Sequence, residues 1–291
     1  MTAALSYREI PPALALRGRI ETYWFLSGGR ATPGGVEPIF PDGRPEIVLH
    51  LAQPFARLGA DGTRTVQPRA LLAGQIDRPL RLSPSEEADV VGIRFRPAGA
   101  YPLVGAPLDR YRNATPALAD VDAKLASRLE ESVRRAPSRP EARAAALDAA
   151  LLVAAGSRRA DARIGAAADL AVRSRGRVSV DAMARFAGLS GRSLERGFLR
   201  EVGLGPKRFA RIARFRAVLA ARERGRVASW AALAVDLGYS DQAHLVREFS
   251  EFAGVPPTAG ISAEDSLAAI FGAVSDFDKT ASPPFFRLFE P

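Results

Sequence analysis

Residues Ser179–Pro206 read SVDAMARFAGLSGRSLERGFLREVGLGP, and residues Ser229–Pro257 repeat the same pattern as SWAALAVDLGYSDQAHLVREFSEFAGVPP. Apolar, glycine, arginine and proline positions coincide between the two copies, with one extra residue in the turn of the second copy. The coinciding pairs are Ala184/Ala234, Gly188/Gly238, Leu194/Leu245, Arg196/Arg247, Phe198/Phe249, Gly203/Gly254 and Pro206/Pro257. Similarity of this kind indicates a duplicated supersecondary unit. The duplication therefore sets the fold of the C-terminal part of the chain.

Each copy predicts a helix, a tight turn and a second helix. Gly188 and Gly238 stand where the first helix should end, because glycine adopts the left-handed conformation of a helix C-terminus most easily. Ser190 and Asp241 follow as the predicted N-caps of the second helix, each accepting a hydrogen bond from a free backbone N–H group. Apolar side chains four residues apart turn one face of that helix inward. These inward pairs are Leu194 with Phe198 and Leu245 with Phe249.

The opposite face of each second helix is polar, and we expect it to be exposed. An α-helix fits the major groove of DNA, where arginine can donate two hydrogen bonds to guanine and glutamine can pair with adenine. The exposed set is Gly191, Arg192, Glu195 and Arg196 in the first copy, and Gln242, Ala243, Val246 and Arg247 in the second, with His244 at the edge. Between the copies, Pro206–Gly225 predicts one long helix that starts at a proline. This helix would hold the two units at the separation of about 34 Å that successive major grooves require.

Three polar residues of these helices have competing interpretations. Glu195 either accepts from cytosine or pairs with Arg192 or Arg200 on the surface. Asp241 is assigned to capping, because its carboxylate would repel a phosphate. His244 either contacts DNA or packs at the helix edge, and packing is the favoured interpretation.

The segment from about Arg177 to Gly260 resembles the DNA-binding domain of the AraC/XylS family of transcription regulators. LGYSDQAHLVREFSEFAGVPP is similar to the second helix-turn-helix signature of that family, and GLSGRSLERGFLREVGLGPKRF resembles the first. Gly260 departs from the family, whose members usually carry an aromatic residue after the final proline. The resemblance implies that both second helices face DNA bases. The candidate DNA-contacting residues are Ser190, Gly191, Arg192, Ser193, Glu195, Arg196, Lys207, Gln242, Ala243, His244 and Arg247.

The first hundred residues predict a β-rich region, and the residues after it predict helices. Short runs of β-branched and aromatic residues alternate with Gly and Pro, which is typical of a sandwich or barrel. The runs are Arg19–Leu26, Glu46–Leu51 and Asp89–Phe95. Helical spacing follows in Ala117–Arg135 and Glu141–Ala155, and Gly156–Ala160 is a predicted linker.

The whole chain is therefore predicted to be an α+β protein of two domains. A β-rich N-terminal domain with trailing helices spans residues 1–157, and the family resemblance implies that this domain is cupin-like. An all-α domain with two helix-turn-helix units joined by a long helix spans residues 160–262, and a C-terminal tail spans residues 263–291. Residues Phe285, Phe286, Leu288 and Phe289 of that tail could dock on a partner or on the chain itself.

The N-terminal motifs PDG (Pro41–Gly43) and GIRFRPAGA (Gly92–Ala100) resemble an uncharacterised domain found on some of these regulators. The resemblance implies a ligand-sensing or dimerising role. Trp24, His50 and Arg94 are the candidate ligand-binding residues. The alternative for Trp24 is a core position together with Tyr23 and Phe25, because aromatic side chains mostly bury for packing.

Composition limits the function classes. The chain has 41 Lys and Arg residues against 32 Asp and Glu residues, a net charge of +9 that favours a polyanionic partner. It has no cysteine, which excludes disulfides, thiolate metal sites and thiol nucleophiles. We expect no cofactor and no metal, since the β-rich part has one histidine, His50. The sequence has no apolar run long enough to predict a membrane span, so a cytoplasmic protein is expected.

The leading hypothesis is a non-enzymatic transcription regulator that binds double-stranded DNA. A small-molecule effector, a second copy of the chain and RNA polymerase are further partners that the sequence leaves open. An architectural or partner-binding DNA-associated protein without ligand sensing is the alternative. An enzyme with a β-barrel active site is a third class, but no catalytic sequence motif supports it.

Overall fold

A computed structural model describes residues 5–29, 35–154, 160–225, 227 and 229–259. Within these ranges β-strands come first along the chain and α-helices follow. The strands are β1 Ser6–Ile10, β2 Ile20–Gly28, β3 Glu37–Ile39, β4 Glu46–His50, β5 Ala56–Leu58, β6 Arg64–Val66, β7 Ala70–Ala73, β8 Leu80–Ser83 and β9 Ala88–Phe95. The helices are α1 Tyr101–Val104, α2 Leu118–Arg135, α3 Pro140–Ala154, α4 Ala162–Arg173, α5 Val180–Ala187, α6 Gly191–Glu201, α7 Pro206–Glu223, α8 Trp230–Asp236 and α9 Gln242–Ala253.

The strands form two antiparallel sheets, in agreement with the predicted β-rich region. One sheet has the order β1-β2-β9-β4-β7, and the other has the order β3-β8-β5-β6. Because successive side chains of a strand point to opposite faces, Glu46, Val48 and His50 of β4 share one face of the larger sheet. Ile47 and Leu49 share the other face, and both are buried.

Helices α2 and α3 cover one face of the larger sheet. Tyr23 and Phe25 of β2 belong to the apolar core on this side. The Tyr23 hydroxyl donates to Asp148 of α3 at 2.8 Å. The Arg143 guanidinium of α3 donates to both carboxylate oxygens of Asp89, at 2.7 and 3.1 Å. These polar contacts fix α3 on the sheet in addition to the apolar packing.

The other face of the larger sheet looks toward the smaller sheet. Trp24 lies on this face, in a separate apolar cluster with Phe55 and Val90. The pleat of β2 therefore divides the predicted aromatic cluster, because Trp24 and its neighbours Tyr23 and Phe25 point in opposite directions. Trp24 is free to line a space between the sheets, while the other two rings belong to the helical side.

Gly92 makes room for Trp24. It is the cross-strand partner of both Trp24 and Val48, and a Cβ atom built on it would come within 1.8 Å of Trp24 Cε2. We expect Gly92→Ala to lower the free energy of unfolding by about 1–3 kcal/mol or more, because the indole must leave its rotamer. Thermal unfolding followed by circular dichroism measures this. Gly18→Ala is the matched control, since a Cβ there meets nothing within 4 Å; equal melting temperatures for the two variants would contradict this account.

The C-terminal helices pack around α7. Phe215 of α7 lies at the centre of this core, with ring centroids 5.1 Å from Phe249 and 5.4 Å from Phe252 of α9. Phe209 of the same helix meets Phe198 of α6 at 5.9 Å. The predicted helix between the two repeats is confirmed, and it forms the shared core of both helix-turn-helix units.

The two-layer sheet region also contacts α7. The Phe40 ring meets Phe215 edge-on at 6.2 Å, and the Arg208 guanidinium donates to the backbone oxygen of Asp77 at 2.8 Å. Arg96 lies 3.4 Å from the Asp169 carboxylate of α4. Contacts of this kind link the strands to the helix that carries both units.

Some sequence-based predictions fall outside the described residues. They concern residues 155–159 of the linker, Gly260 and the tail at residues 263–291, with its aromatic residues. The boundaries at residues 157, 160 and 262 stay predictions. Among the described helices, none combines the length and the apolar character needed to cross a membrane.

Candidate functional site

The turns of the two helix-turn-helix units have the predicted caps. Gly188 and Gly238 have φ values of 61° and 74°, in the left-handed region. The Ser190 hydroxyl oxygen accepts from the Ser193 N–H group at 3.2 Å, and the Asp241 carboxylate accepts from the His244 N–H group at 2.7 Å. The same N–H group lowers the pKa of Asp241. Both predicted N-caps are therefore confirmed.

Helix α6 buries one face and exposes the other. Leu194 and Phe198 are fully buried, and Gly197 lies so close to α4 that a Cβ would meet Ile164 Cδ1 at 2.3 Å. The exposed residues of α6 at its N-terminal end are Gly191, Arg192, Glu195 and Arg196, with Ser193 half-buried. This is the division that the sequence predicts.

Helix α9 repeats the arrangement of α6. Leu245 and Phe249 are fully buried. Gln242, Ala243 and Arg247 are exposed, and His244 and Val246 are half-buried. Lys207, at the first turn of α7, is also exposed.

Glu195 has a position that neither sequence-based alternative anticipated. Its carboxylate folds over Gly205, just before α7, where a Cβ would lie 2.6 Å from Glu195 Oε1. Arg200, one of its two suggested partners, pairs instead with the neighbouring Glu201. Glu195 thus lies between the exposed face of α6 and the start of α7.

His244 packs at the edge of α9. Its ring meets Tyr239 edge-on at 5.3 Å, and its Nδ1 atom lies 3.1 Å from the Ser240 hydroxyl oxygen. Its Nε2 atom is 3.9 Å from the Glu248 carboxylate. These neighbours favour a packing role for His244 over a DNA contact.

Ion pairs that the sequence analysis missed fix α9 on α7. Arg211 donates to the buried Glu248 carboxylate at 2.7 Å. Arg208 and Arg211 both pair with Glu251, and Arg208 also stacks over Phe252 at 4.6 Å from the ring centroid. The signal was present in the sequence, because arginines three residues apart on one helix match glutamates three residues apart on another.

Helix α6 is anchored in a different way. Glu201, whose side chain is fully buried, accepts from the Asp161 backbone N–H group at 2.8 Å and pairs with Arg200. This contact ties the end of α6 to the residue that caps α4. Each second helix is thus held by a buried carboxylate, Glu201 in α6 and Glu248 in α9.

Trp24, His50 and Arg94 come together at a cavity between the two sheets. The cavity opens partly to solvent, and the centre of a water-sized sphere can occupy about 100 Å³ of it. Arg94 donates to Glu46 at 2.6 Å, and the Trp24 indole N–H group donates to the same carboxylate at 3.2 Å. Burial raises the pKa of Glu46, and the Arg94 guanidinium opposes this shift.

One wall of the cavity comes from the helical region. Arg216 of α7 lines it together with Phe40 and Asp42. Burial lowers the pKa of Arg216, and the charges of Asp42 and Glu223 act against this shift. Sequence analysis did not predict Arg216 at this site, because a helix that joins two helix-turn-helix units gives no local sign of reaching a distant sheet. In the described ranges no cluster of three or more His, Asp or Glu side chains could hold a metal ion.

The two exposed, arginine-bearing helices on one rigid core define a DNA-binding protein with a double helix-turn-helix. Residues 183–260 match the helix-turn-helix domain of the AraC type, and residues 8–116 match a domain of unknown function, DUF6597. The C-terminal part of the chain is therefore an AraC-type DNA-binding domain of a transcription regulator. No curated protein is similar to it at the level of sequence.

Solved structures of two other proteins are distantly similar to this chain. ToxT from Vibrio cholerae O395 is 10% identical with a TM-score of 0.42, over 77% of this chain and 94% of ToxT. ToxT of strain SCE256, solved with an unsaturated fatty acid, is 10% identical with a TM-score of 0.38, over 89% and 94%. The AraC-like transcriptional activator CuxR is 15% identical with a TM-score of 0.24, over 75% and 87%.

Proposed function

We propose that α6 and α9 are recognition helices that enter successive major grooves on one face of an operator. The observation that carries this proposal is the matched geometry of the two units. Each has a capped second helix with a buried apolar face and an exposed face that bears arginine. Both units pack on α7. A duplex offers the same groove again after about 10–10.5 base pairs, so two helices on one rigid core suit one binding site.

The side chains divide into base readers and phosphate contacts. Arg196 and Arg247 are matched positions of the repeat on exposed faces, and they read guanine. Gln242 reads adenine from the first turn of α9. The remaining candidates contact the DNA backbone or pack beside it. They are Ser190, Gly191, Arg192, Ser193, Lys207, Ala243 and His244. Glu195 lies between them and α7.

The N-terminal domain modulates this DNA binding. Support comes from α7, which is at once the core of both helix-turn-helix units and, through Arg216, a wall of the cavity between the sheets. A small molecule in that cavity would change contacts to α7 and thereby favour one arrangement of the units. Dimerisation through the same domain, and contact with RNA polymerase, belong to the same proposal as further partners.

The test is a selection of randomised duplex DNA with the full-length chain. We expect a site with two conserved elements about 10–10.5 base pairs apart, centre to centre. The selected site should bind at least about 10³-fold more tightly than random duplex at physiological salt. Similar affinity for selected and random duplexes would instead indicate an architectural DNA-associated protein.

A further inference from the structure

The floor of the cavity is built from rows of side chains across the larger sheet. Arg94 faces Glu46 across neighbouring strands, and the next row has Gly92 between Trp24 and Val48. The last row pairs His50 with Val90. One end of the floor is therefore charged, the middle is aromatic and apolar, and the far end carries an imidazole.

The smaller sheet and its loops supply a mostly apolar roof. Ile39, Phe55, Leu80 and Leu82 line the cavity on this side. The Phe55 ring meets His50 edge-on at 5.1 Å. An occupant would thus lie between the Trp24 indole and aliphatic side chains, which favours a largely apolar body.

His50 is a polar side chain in this mostly apolar part of the cavity, and its surroundings do not account for its hydrogen bonding. Only 4% of the residue is exposed, and neither ring nitrogen makes a hydrogen bond within the part of the chain that the structure describes. Gln67 lies near enough to influence the ring, but not in hydrogen-bonding geometry. Leaving a buried polar group without a partner costs about 1–3 kcal/mol, so such groups in a cavity wall indicate a ligand or ordered water.

The imidazole is neutral at physiological pH. Burial lowers the pKa of His50 to about 4, so the ring has one donor and one acceptor nitrogen and no charge. At the other end of the floor Arg94 already pairs with Glu46, and Arg44 pairs with Glu21. In the cavity wall the charges of Asp42 and Glu223 act on Arg216. The arginines of the cavity thus have carboxylates acting on them within the protein and do not call for a ligand of net charge.

We infer that the cavity binds an uncharged, largely apolar small molecule that exchanges a hydrogen bond with His50. The inference rests on the proposed sensing function of the N-terminal domain and specifies the chemistry of its effector. A hydroxyl or carbonyl group would meet the ring nitrogen, and the apolar body would lie along Trp24. A carboxylate at the His50 end would lose its hydration without gaining an opposite charge.

Three probe molecules that share a butyl-substituted benzene ring distinguish neutral polar, apolar and anionic ligands. 4-Butylphenol carries a neutral hydroxyl group, butylbenzene has no polar group, and 4-butylbenzoate is an anion at neutral pH. The chain has two tryptophans, Trp24 and Trp230, so full-length protein with Trp230→Phe reports on the cavity through Trp24 fluorescence alone. We expect 4-butylphenol to change this fluorescence at about three- to tenfold lower concentration than either other probe, as one hydrogen bond allows.

His50 variants assign the difference to the imidazole. In His50→Leu, which replaces the imidazole by an apolar side chain of similar size, 4-butylphenol and butylbenzene should bind equally. In His50→Gln, which keeps a donor and an acceptor, the preference for the phenol should return in part. The melting temperature of each variant, measured without probe, verifies that the chain is folded.

Three outcomes would overturn the inference. They are no fluorescence change with 4-butylphenol, an equal or tighter response to 4-butylbenzoate, and a phenol preference that persists in His50→Leu. The first would mean that the cavity holds only water. Because no DNA is present, these results are independent of operator selection; a probe that binds without altering operator affinity would contradict the sensing role and leave the ligand chemistry standing.

Discussion

Full-length protein with Arg196→Ala and Arg247→Ala together is expected to lose most of its preference for the selected operator. Each arginine should contribute about 1–3 kcal/mol at its own base step. The residues belong to separate helix-turn-helix units, so the losses should add to about 2–6 kcal/mol. Both side chains are exposed, and their removal leaves the cores around Phe198 and Phe249 intact.

The single variants reveal which contact each arginine makes. If Arg196 reads a base, Arg196→Ala relaxes specificity at one step of one half-site and leaves the other half-site unchanged. Uniform weakening across all sequences would indicate a phosphate contact instead. Competition binding against operator variants, at fixed salt, measures this difference. Arg134→Ala is the matched control, because it removes the same charge from an exposed position of α2; an equal loss there would attribute the effect to net charge alone.

Arg94→Leu is expected to destabilise the N-terminal domain by about 3–5 kcal/mol, because it leaves a buried carboxylate without its cation. The Arg94 side chain is 1% exposed and that of Glu46 13%. A loss of this size corresponds to a fall in melting temperature of roughly 6–20 °C. Calorimetry or circular dichroism of the full-length chain gives the value.

A double variant distinguishes a lost ion pair from lost packing. Arg94→Leu with Glu46→Leu removes both charges, so much of the stability should return. In Arg94→Leu alone, Glu46 should titrate above its unfolded pKa, since burial raises that pKa and the opposing guanidinium is gone. The cost is then present above the folded pKa of Glu46 and disappears below its unfolded pKa. The deficit against the parent chain should therefore shrink as the pH falls from 7 toward about 4; a deficit that is constant with pH would indicate packing.

Local chemistry explains why the helix-turn-helix units were predictable from sequence. The left-handed Gly188, the N-caps Ser190 and Asp241, and the i, i+4 pair Leu194 with Phe198 all act within a few residues of one another. The duplication then doubles each signal. Such short-range features depend only on residues that are close together in the sequence, so spacing alone predicts them.

The strands were also predictable, but not the direction in which their side chains act. Trp24, Tyr23 and Phe25 form one aromatic run in the sequence, and the pleat sends Trp24 to the cavity and the others to the helical core. Which face of the larger sheet lines a cavity depends on where the second sheet and α2 pack. No local pattern contains that information.

The amino-acid sequence was therefore sufficient to predict the AraC-type helix-turn-helix domain, because caps, turns and apolar spacing operate over one or two helical turns. It was insufficient for the cavity, whose wall joins His50 of β4 and Trp24 of β2 to Arg216 of α7. It also missed the ion pairs of Glu248 and Glu251 with Arg208 and Arg211, which fix α9 on α7. These partners are far apart along the chain, and they meet only because the sheets and helices pack as they do.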